Sequence, residues 1–292
     1  MKLAPGDPVQ MMIDPNITAS DLIQLKKNLG LDLPLWQQYF IWLKNILMGN
    51  FGTSLVTSRP VLEMILERLP ATLLLMIASF GVTLIIAIPL GIKSAQSQNS
   101  LTDHSITFLS FISMSIPSFW LALMAMLFFS LWMGLVPSSG MYDLETSVWL
   151  RPLDVLWHLI LPVLVLTIGE LAGYIRYLRA SMLGVLKQNY IRTAKAKGLD
   201  EKTIIQKHAL KNALLPLITI LGLSLPGLFG GAFIIEKIFS WPGMGMLGVN
   251  AIFARDYPLI MGLILFSSFL ILIGNLLADL AYSWADPRIR VS

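Results

Sequence analysis

Cysteine is absent from this 292-residue chain, which removes disulfides, thiolate metal ligands, iron–sulfur clusters and thiol catalysis from consideration. Charge is scarce as well. Asp, Glu, Lys and Arg make up 13% of the residues, against about 25% in a typical soluble domain. Histidine occurs only as His104, His158 and His208, with none of the close pairing of an H-E-x-x-H motif, so a zinc site has little support. No G-x-x-x-x-G-K-[ST] run is present, so the chain carries no Walker-type nucleotide loop. No clustered carboxylates suggest hydrolytic chemistry. What remains is apolar: 55% of the residues are hydrophobic, and the mean hydropathy is +0.72.

That apolar content is concentrated in long runs. Leu69–Ile92, Ser110–Val136, Val155–Tyr174, Ala213–Ile235 and Leu259–Ala278 each reach the ~20 residues needed to cross a bilayer as a helix. Backbone groups in hydrocarbon must be satisfied within the segment, and the runs lack the alternation of barrel strands. The expected fold is therefore an all-α integral membrane bundle with five spans. Prolines at Pro89, Pro117, Pro162, Pro216 and Pro226 remove backbone donors and favour kinks. Gly227 and Gly231 stand in G-x-x-x-G spacing, which permits a close helix contact within this chain or with another.

Orientation rests on the segment from Arg176 to Lys211, which holds nine Lys/Arg against Asp200 and Glu201. By the positive-inside rule this loop is cytoplasmic. Nucleic-acid binding is the rival explanation of a basic run, and its position between two spans favours the topological one. Lys93–Ser105 and the tail from Asp286 then fall inside. The first 68 residues and Glu236–Pro258 fall outside.

The outer stretch has its own pattern. Thr18 and Asp21 precede Leu22, Leu25 and Leu29, and Trp36, Phe40, Leu43 and Leu47 recur at helical intervals, which predicts two short amphipathic helices. Trp36, Tyr39 and Trp42 suit either the membrane interface or packing on the bundle. No apolar segment precedes this region to lead it across the membrane. A helix ahead of Met1 is therefore expected.

Several stretches, in order along nearly the entire chain, resemble the dipeptide/oligopeptide and nickel branch of binding-protein-dependent ABC importer permeases. They include Leu3 to Pro8, Asn28 to Leu31, Gly52-Thr53-Ser54 with Arg59-Pro60-Val61, and Arg68 to Leu73. Glu236 to Gly245, Arg255 to Pro258 and Asp286 to Arg290 continue the series. The most informative is Tyr190 to Leu199 continuing through His208 to Pro216, which looks like the cytoplasmic EAA loop. Its physical logic is legible without the family: Gly198 can end one helix in a left-handed cap, and Asp200 and Glu201 suit the N-terminus of the next.

The resemblance implies a type I ABC importer transmembrane domain over 69–283, an outer region over 1–68, the EAA loop at about 179–212 and a cytoplasmic tail over 284–292. It implies no enzyme and no cofactor in this chain, with ATP bound by two partner ATPase subunits. The other implied partners are a second homologous permease, an extracytoplasmic peptide-binding protein and membrane lipid, with no nucleic acid. Arg192, Thr193, Ala194, Lys197, Gly198, Leu199 and Ile204 would meet the ATPase, with Leu199, Ile204 and Ile205 supplying apolar contact. Arg192 and Thr193 stand where Glu and Ala are generic. Gly227, Gly231 and Glu236 are candidates for helix packing or gating. Glu236 and Asp279 are expected near water at span ends. Glu170 either faces the translocation path or pairs with Arg176. Nickel or glutathione import, an ion-coupled secondary transporter and a membrane scaffold are the alternatives carried forward.

Overall fold

The computed structural model describes residues 33–214, 217, 220 and 232–285. Among these, regular structure is helical apart from one isolated bridge between Thr53 and Pro60. Helix α1 (Leu35–Leu47) follows the predicted amphipathic segment; the companion helix expected over 18–29 lies outside the described residues. Trp36, Tyr39 and Phe40 remain exposed on α1, with Tyr39 stacked edgewise on Phe40 and tilted against Trp42.

Two 36-residue helices form the frame, α2 (Val61–Gln96) and α5 (Arg151–Leu186). At 1.5 Å per residue each is about 54 Å long, well beyond a ~30 Å hydrocarbon layer, so both project past the membrane. They pack along their length. Thr167 Oγ1 donates to the Ser79 carbonyl at 3.3 Å, and Phe80 meets Tyr174 edge-on. The helices approach closely at Gly91, where a Cβ would stand 3.0 Å from Leu178 Cβ and 3.2 Å from the Ile175 carbonyl. Interfaces between membrane helices favour such small residues because lipid supplies no hydrophobic drive and close packing must.

The run Ser110–Val136 is not one straight helix. Ser100 caps α3 (Leu101–Ser115) by accepting the Asp103 amide at 3.3 Å, and the chain then turns through 96° into α4 (Ser118–Ala125), which widens to a π-helical stretch at Met126–Trp132. Pro117 sits at the break as the N-cap of α4. A proline amide cannot donate, and the residue before it is pushed to extended backbone, as Ile116 is with φ −87° and ψ 122°. Pro89 and Pro162 lie inside α2 and α5. Among the described residues, three helices are long and apolar enough to span, or four with the bent pair. The span expected over Ala213–Ile235, with Pro216, Pro226, Gly227 and Gly231, falls largely outside the described residues.

Beyond α5 come α6 (Asn189–Ala196) and α7 (Glu201–Thr203), the latter running into a π-helical stretch at Ile204–Ala209. At the other end lie α8 (Phe233–Ile238), α9 (Met244–Phe253) and the final spanning helix α10 (Tyr257–Ala285). The loops sort into two groups. One gathers 51–60, the start of α2, 140–158, and 236–258; the other gathers 93–105 with the inner end of α5 and residues 188–213. This is the partition that the positive-inside argument predicts.

Candidate functional site

The inner group is built on Gly198. Helix α6 ends at Ala196, and Gly198 takes φ +75°, a left-handed conformation that costs a side-chain-bearing residue roughly 1–2 kcal/mol. Its amide donates to Lys195 O at 3.0 Å, closing the turn. Asp200 then caps α7 through the Thr203 amide at 3.0 Å. The hydroxyl of Thr203, and then its backbone N–H, hold the Asp200 carboxyl below the usual carboxylate range. Both local features foreseen from sequence are present: a glycine stop and an acidic start.

The two short helices dock by an apolar underside. Ile191, Ala194, Ile204, Ile205, Ala209 and Ala213 join Ala87, Ala95, Ile175, Leu178 and Met182 in one cluster. This corrects the reading of Ile204 and Ile205 as apolar contacts for a partner. They are 2% and 7% exposed and fix the loop to the inner ends of α2 and α5; Ala194, at 6%, does the same. Arg192, Thr193, Lys197, Gly198 and Leu199 remain exposed, and Leu199 is the apolar side chain that this surface offers outward.

The same end holds an ion pair that the sequence reading passed over. Arg179 Nε and Nη2 donate to the two carboxylate oxygens of Asp103 at 2.7 and 2.6 Å. Ser94 Oγ donates to Oδ1 at 2.5 Å and the Asn99 amide to Oδ2 at 3.0 Å. Asp103 is 2% exposed, so these donors replace the water it has lost. The pair ties the turn between α2 and α3 to α5. The 76-residue separation hid it, although the capping position of Asp103 three residues after Ser100 was readable.

At the outer end Glu236 is the organising group. It was expected near water but is 0% exposed, because α8 and α9 fold back over it. Thr72 Oγ1 donates to Glu236 Oε1 at 2.9 Å while accepting the Met244 amide at 2.7 Å, and the Met246 amide donates to Oε2 at 3.0 Å. A Cβ on Gly243 would collide with Glu236 and Thr72, and one on Gly245 would lie 2.8 Å from Phe233 Cα. These glycines permit the hairpin to close on the carboxylate. Trp241, fully buried, donates its indole N–H to Ala71 O at 2.8 Å. A second tie runs through Asp256, 1% exposed, which accepts Ser54 Oγ at 2.5 Å and the Leu55 amide at 3.2 Å.

His158 is buried beside this end with Nδ1 2.9 Å from Asp154 O, and its ring, Asp143 and Asp154 bring ligating atoms within 4.8 Å of one another. Asp154 and His158, four residues apart on α5, share a face by their spacing, and Asp143 joins them through the fold. Asp154 Oδ2 already accepts the Asp143 amide at 2.7 Å. Glu170 and Arg176 do not pair. Arg176 lies over the Phe111 ring at 5.9 Å, and no ion pair of Glu170 occurs among the described residues.

The described residues thus form a bent membrane-helix bundle with an outer hairpin closed around a buried carboxylate and a cationic loop of two short helices at the opposite end. Residues 87–291 match the family described as binding-protein-dependent transport system inner membrane component, and residues 1–77 match its N-terminal part. The chain belongs to that family. It is 47% identical over 291 residues to the oligopeptide transport system permease protein AppB of Bacillus subtilis, covering 99% of this chain and 92% of that one. It is 43% identical over 295 residues to a putative peptide permease protein of Brucella ovis, covering 100% and 92%. It is 39% identical over 305 residues to the dipeptide transport system permease protein DppB of Alkalihalophilus pseudofirmus, covering 99% and 91%. Among solved structures, the inward-facing MetNI methionine ABC transporter shares the fold with a TM-score of 0.62 at 16% identity, covering 77% of this chain and 97% of that one.

Proposed function

We propose that this chain is one half of the membrane channel of an ATP-driven importer that carries di- and oligopeptides across a bacterial or archaeal cytoplasmic membrane. It pairs with a second, related permease. Two ATPase subunits bind on the inner face, and an extracytoplasmic peptide-binding protein delivers substrate to the outer face. The chain performs no chemistry of its own; ATP is held and hydrolysed by the partner subunits.

The observation that carries this reading is the two-sided inner loop. Its apolar underside is fixed to α2 and α5, and its outer surface presents Arg192, Thr193, Lys197, Gly198 and Leu199 to the cytoplasm. A segment rigidly attached on one side and unpartnered on the other transmits displacement: motion of an ATPase against it moves the inner ends of two 36-residue helices. Access to the cavity then alternates as nucleotide binding shifts the balance between outward- and inward-open states. The resemblance to peptide permeases, by name, supports the substrate class.

The test is recovery of the tagged chain from native membranes in mild detergent, followed by uptake in vesicles. The reading expects two ATPases, a second permease and a peptide-binding protein to accompany it, with peptide uptake abolished by ATP depletion. Uptake that survived ATP depletion and collapsed with the ion gradient would refute it.

A further inference from the structure

The exposed side of α5 changes along its length. Over the outer half, Leu153, Leu156, Trp157, Ile160 and Leu164 are exposed, and at about 100° per residue they lie on one side of the helix. Over the inner half the exposed positions are Gly169, Glu170, Gly173, Arg176, Tyr177 and Ala180. These centre roughly half a turn away. The first side is apolar and fits lipid. The second carries two charges and two glycines with no described atom within 4 Å of their Cβ positions.

Charged groups inside a span face protein or water, not hydrocarbon. Neither charge is neutralised within the described chain. Glu170 has no ion pair there, and Arg176 rests on Phe111 and the Met114 sulfur, 3.8 Å from its Nη1, neither of which is an anion. Their depth is fixed by packing. Ile175 lies level with Gly91, one residue before the apolar run of α2 ends at Ile92. Arg176 therefore stands at the inner boundary of the hydrocarbon. Glu170, six residues earlier, lies about 9 Å deeper. Beside Arg176 opens a cavity of about 470 Å³ bounded by Asn99, His104, Thr107, Phe111 and Tyr177 together with the Asp103–Arg179 pair, whose charges already satisfy each other.

We infer that this side of α5 lines the translocation route, with Glu170 receiving the ammonium end of a peptide and Arg176 its carboxylate end nearer the cytoplasm. The inference rests on the importer reading. Glu170 and Arg176 stand about 9 Å apart along the helix axis and about 120° apart around it, so their charged groups are separated by more than that rise, a span of about three to four residues of extended chain at ~3.3 Å each. The termini are the charges that every peptide shares whatever its side chains, so a path that reads them serves many sequences. A water-filled path walled by protein and lipid focuses the field of such fixed charges on a substrate, and their separation keeps them from cancelling each other.

Because the chain has no cysteine, single cysteines report directly. In the assembled, transporting complex, Gly169→Cys and Gly173→Cys, both within the span, are expected to react with a membrane-impermeant thiol reagent applied to inverted vesicles. Their rate should exceed that of Ile85→Cys on α2, 73% exposed on an apolar face, by at least tenfold, and transported tripeptide should slow them. Failure of both to react in every nucleotide state, whether lipid or the second permease covers them, overturns the inference. Glu170→Gln is expected to raise the KM for a tripeptide at least fivefold, with Glu170→Asp restoring most of the affinity. An unchanged KM in Glu170→Gln also overturns it. If the wild-type complex imports no peptide, the importer reading falls instead.

Discussion

Replacing Thr72 with valine keeps the shape of the side chain and removes one hydroxyl that serves two partners. Thr72 is fully buried, as is the Glu236 carboxylate to which it donates, and its oxygen also accepts the Met244 amide. The substitution deletes a charge-assisted hydrogen bond, ~1.5–3 kcal/mol, and orphans a buried N–H, a further ~1–3 kcal/mol. Valine fills the same volume, so little is lost from packing. The sum is about 2.5–6 kcal/mol, which for a chain of this size lowers the melting temperature on the order of 10 °C. Thr72→Ser keeps both hydrogen bonds and gives up one methyl, about 0.8 kcal/mol. The assay is the apparent melting temperature of the detergent-purified chain, followed by aggregation, for both variants and wild type. If valine and serine melted within about a degree of each other, the hydroxyl would not be what closes the outer hairpin.

Gly198→Val places a β-branched residue at φ +75°; co-purification with the ATPase subunits is expected to fall several-fold, and Gly198→Asn, which tolerates that region, retains most of it. Asp103→Leu leaves Arg179 without its carboxylate and is expected to cost about 3 kcal/mol, seen as lower yield and melting temperature, while the double change with Arg179→Leu recovers much of the loss. Gly91→Leu forces α2 from α5 at a point of tight contact, with an overpacking cost of ~1–3 kcal/mol read from thermal unfolding. Asp200 has its carboxyl held low, so its cap stabilises α7 above the ordinary carboxylate range and is lost as pH falls through the lowered value. Asp200→Asn still caps and keeps ATPase binding at neutral pH, whereas Asp200→Leu weakens it.

Local signals were the legible ones. The apolar runs gave α2, α5 and α10, because hydrocarbon imposes length and composition together. Gly198 and Asp200 gave the inner turn, because a left-handed stop and an acidic cap are written in single residues. The 96° break at Pro117 was signalled as a kink without its size, since proline forbids the straight helix but does not choose the new direction. What sequence could not supply were contacts across the fold. Glu236 looked like a water-exposed residue at a span end because the hairpin that buries it is held by Thr72, 164 positions away. Ile204 looked available to a partner because periodicity marks an apolar side without saying what covers it. Asp103 and Arg179 belonged to loops whose charges had been counted but not paired.

The two ends of the molecule are stiffened by different means, and the difference suits the proposed cycle. Outside, buried carboxylates at Glu236 and Asp256 are satisfied mainly by hydroxyls and backbone amides, which require close geometry and break together if the hairpin shifts. Inside, an apolar cluster holds the loop to α2 and α5, and one bidentate ion pair ties the turn between α2 and α3 to α5. Close apolar packing has low compressibility and transmits displacement, and the hydrogen-bonded hairpin resists distortion. Force applied at Leu199 would therefore be carried by the helix pair as a body toward an outer end fixed by Thr72 and Ser54, and the bend at Pro117 and the unpaired side of α5 lie between the two.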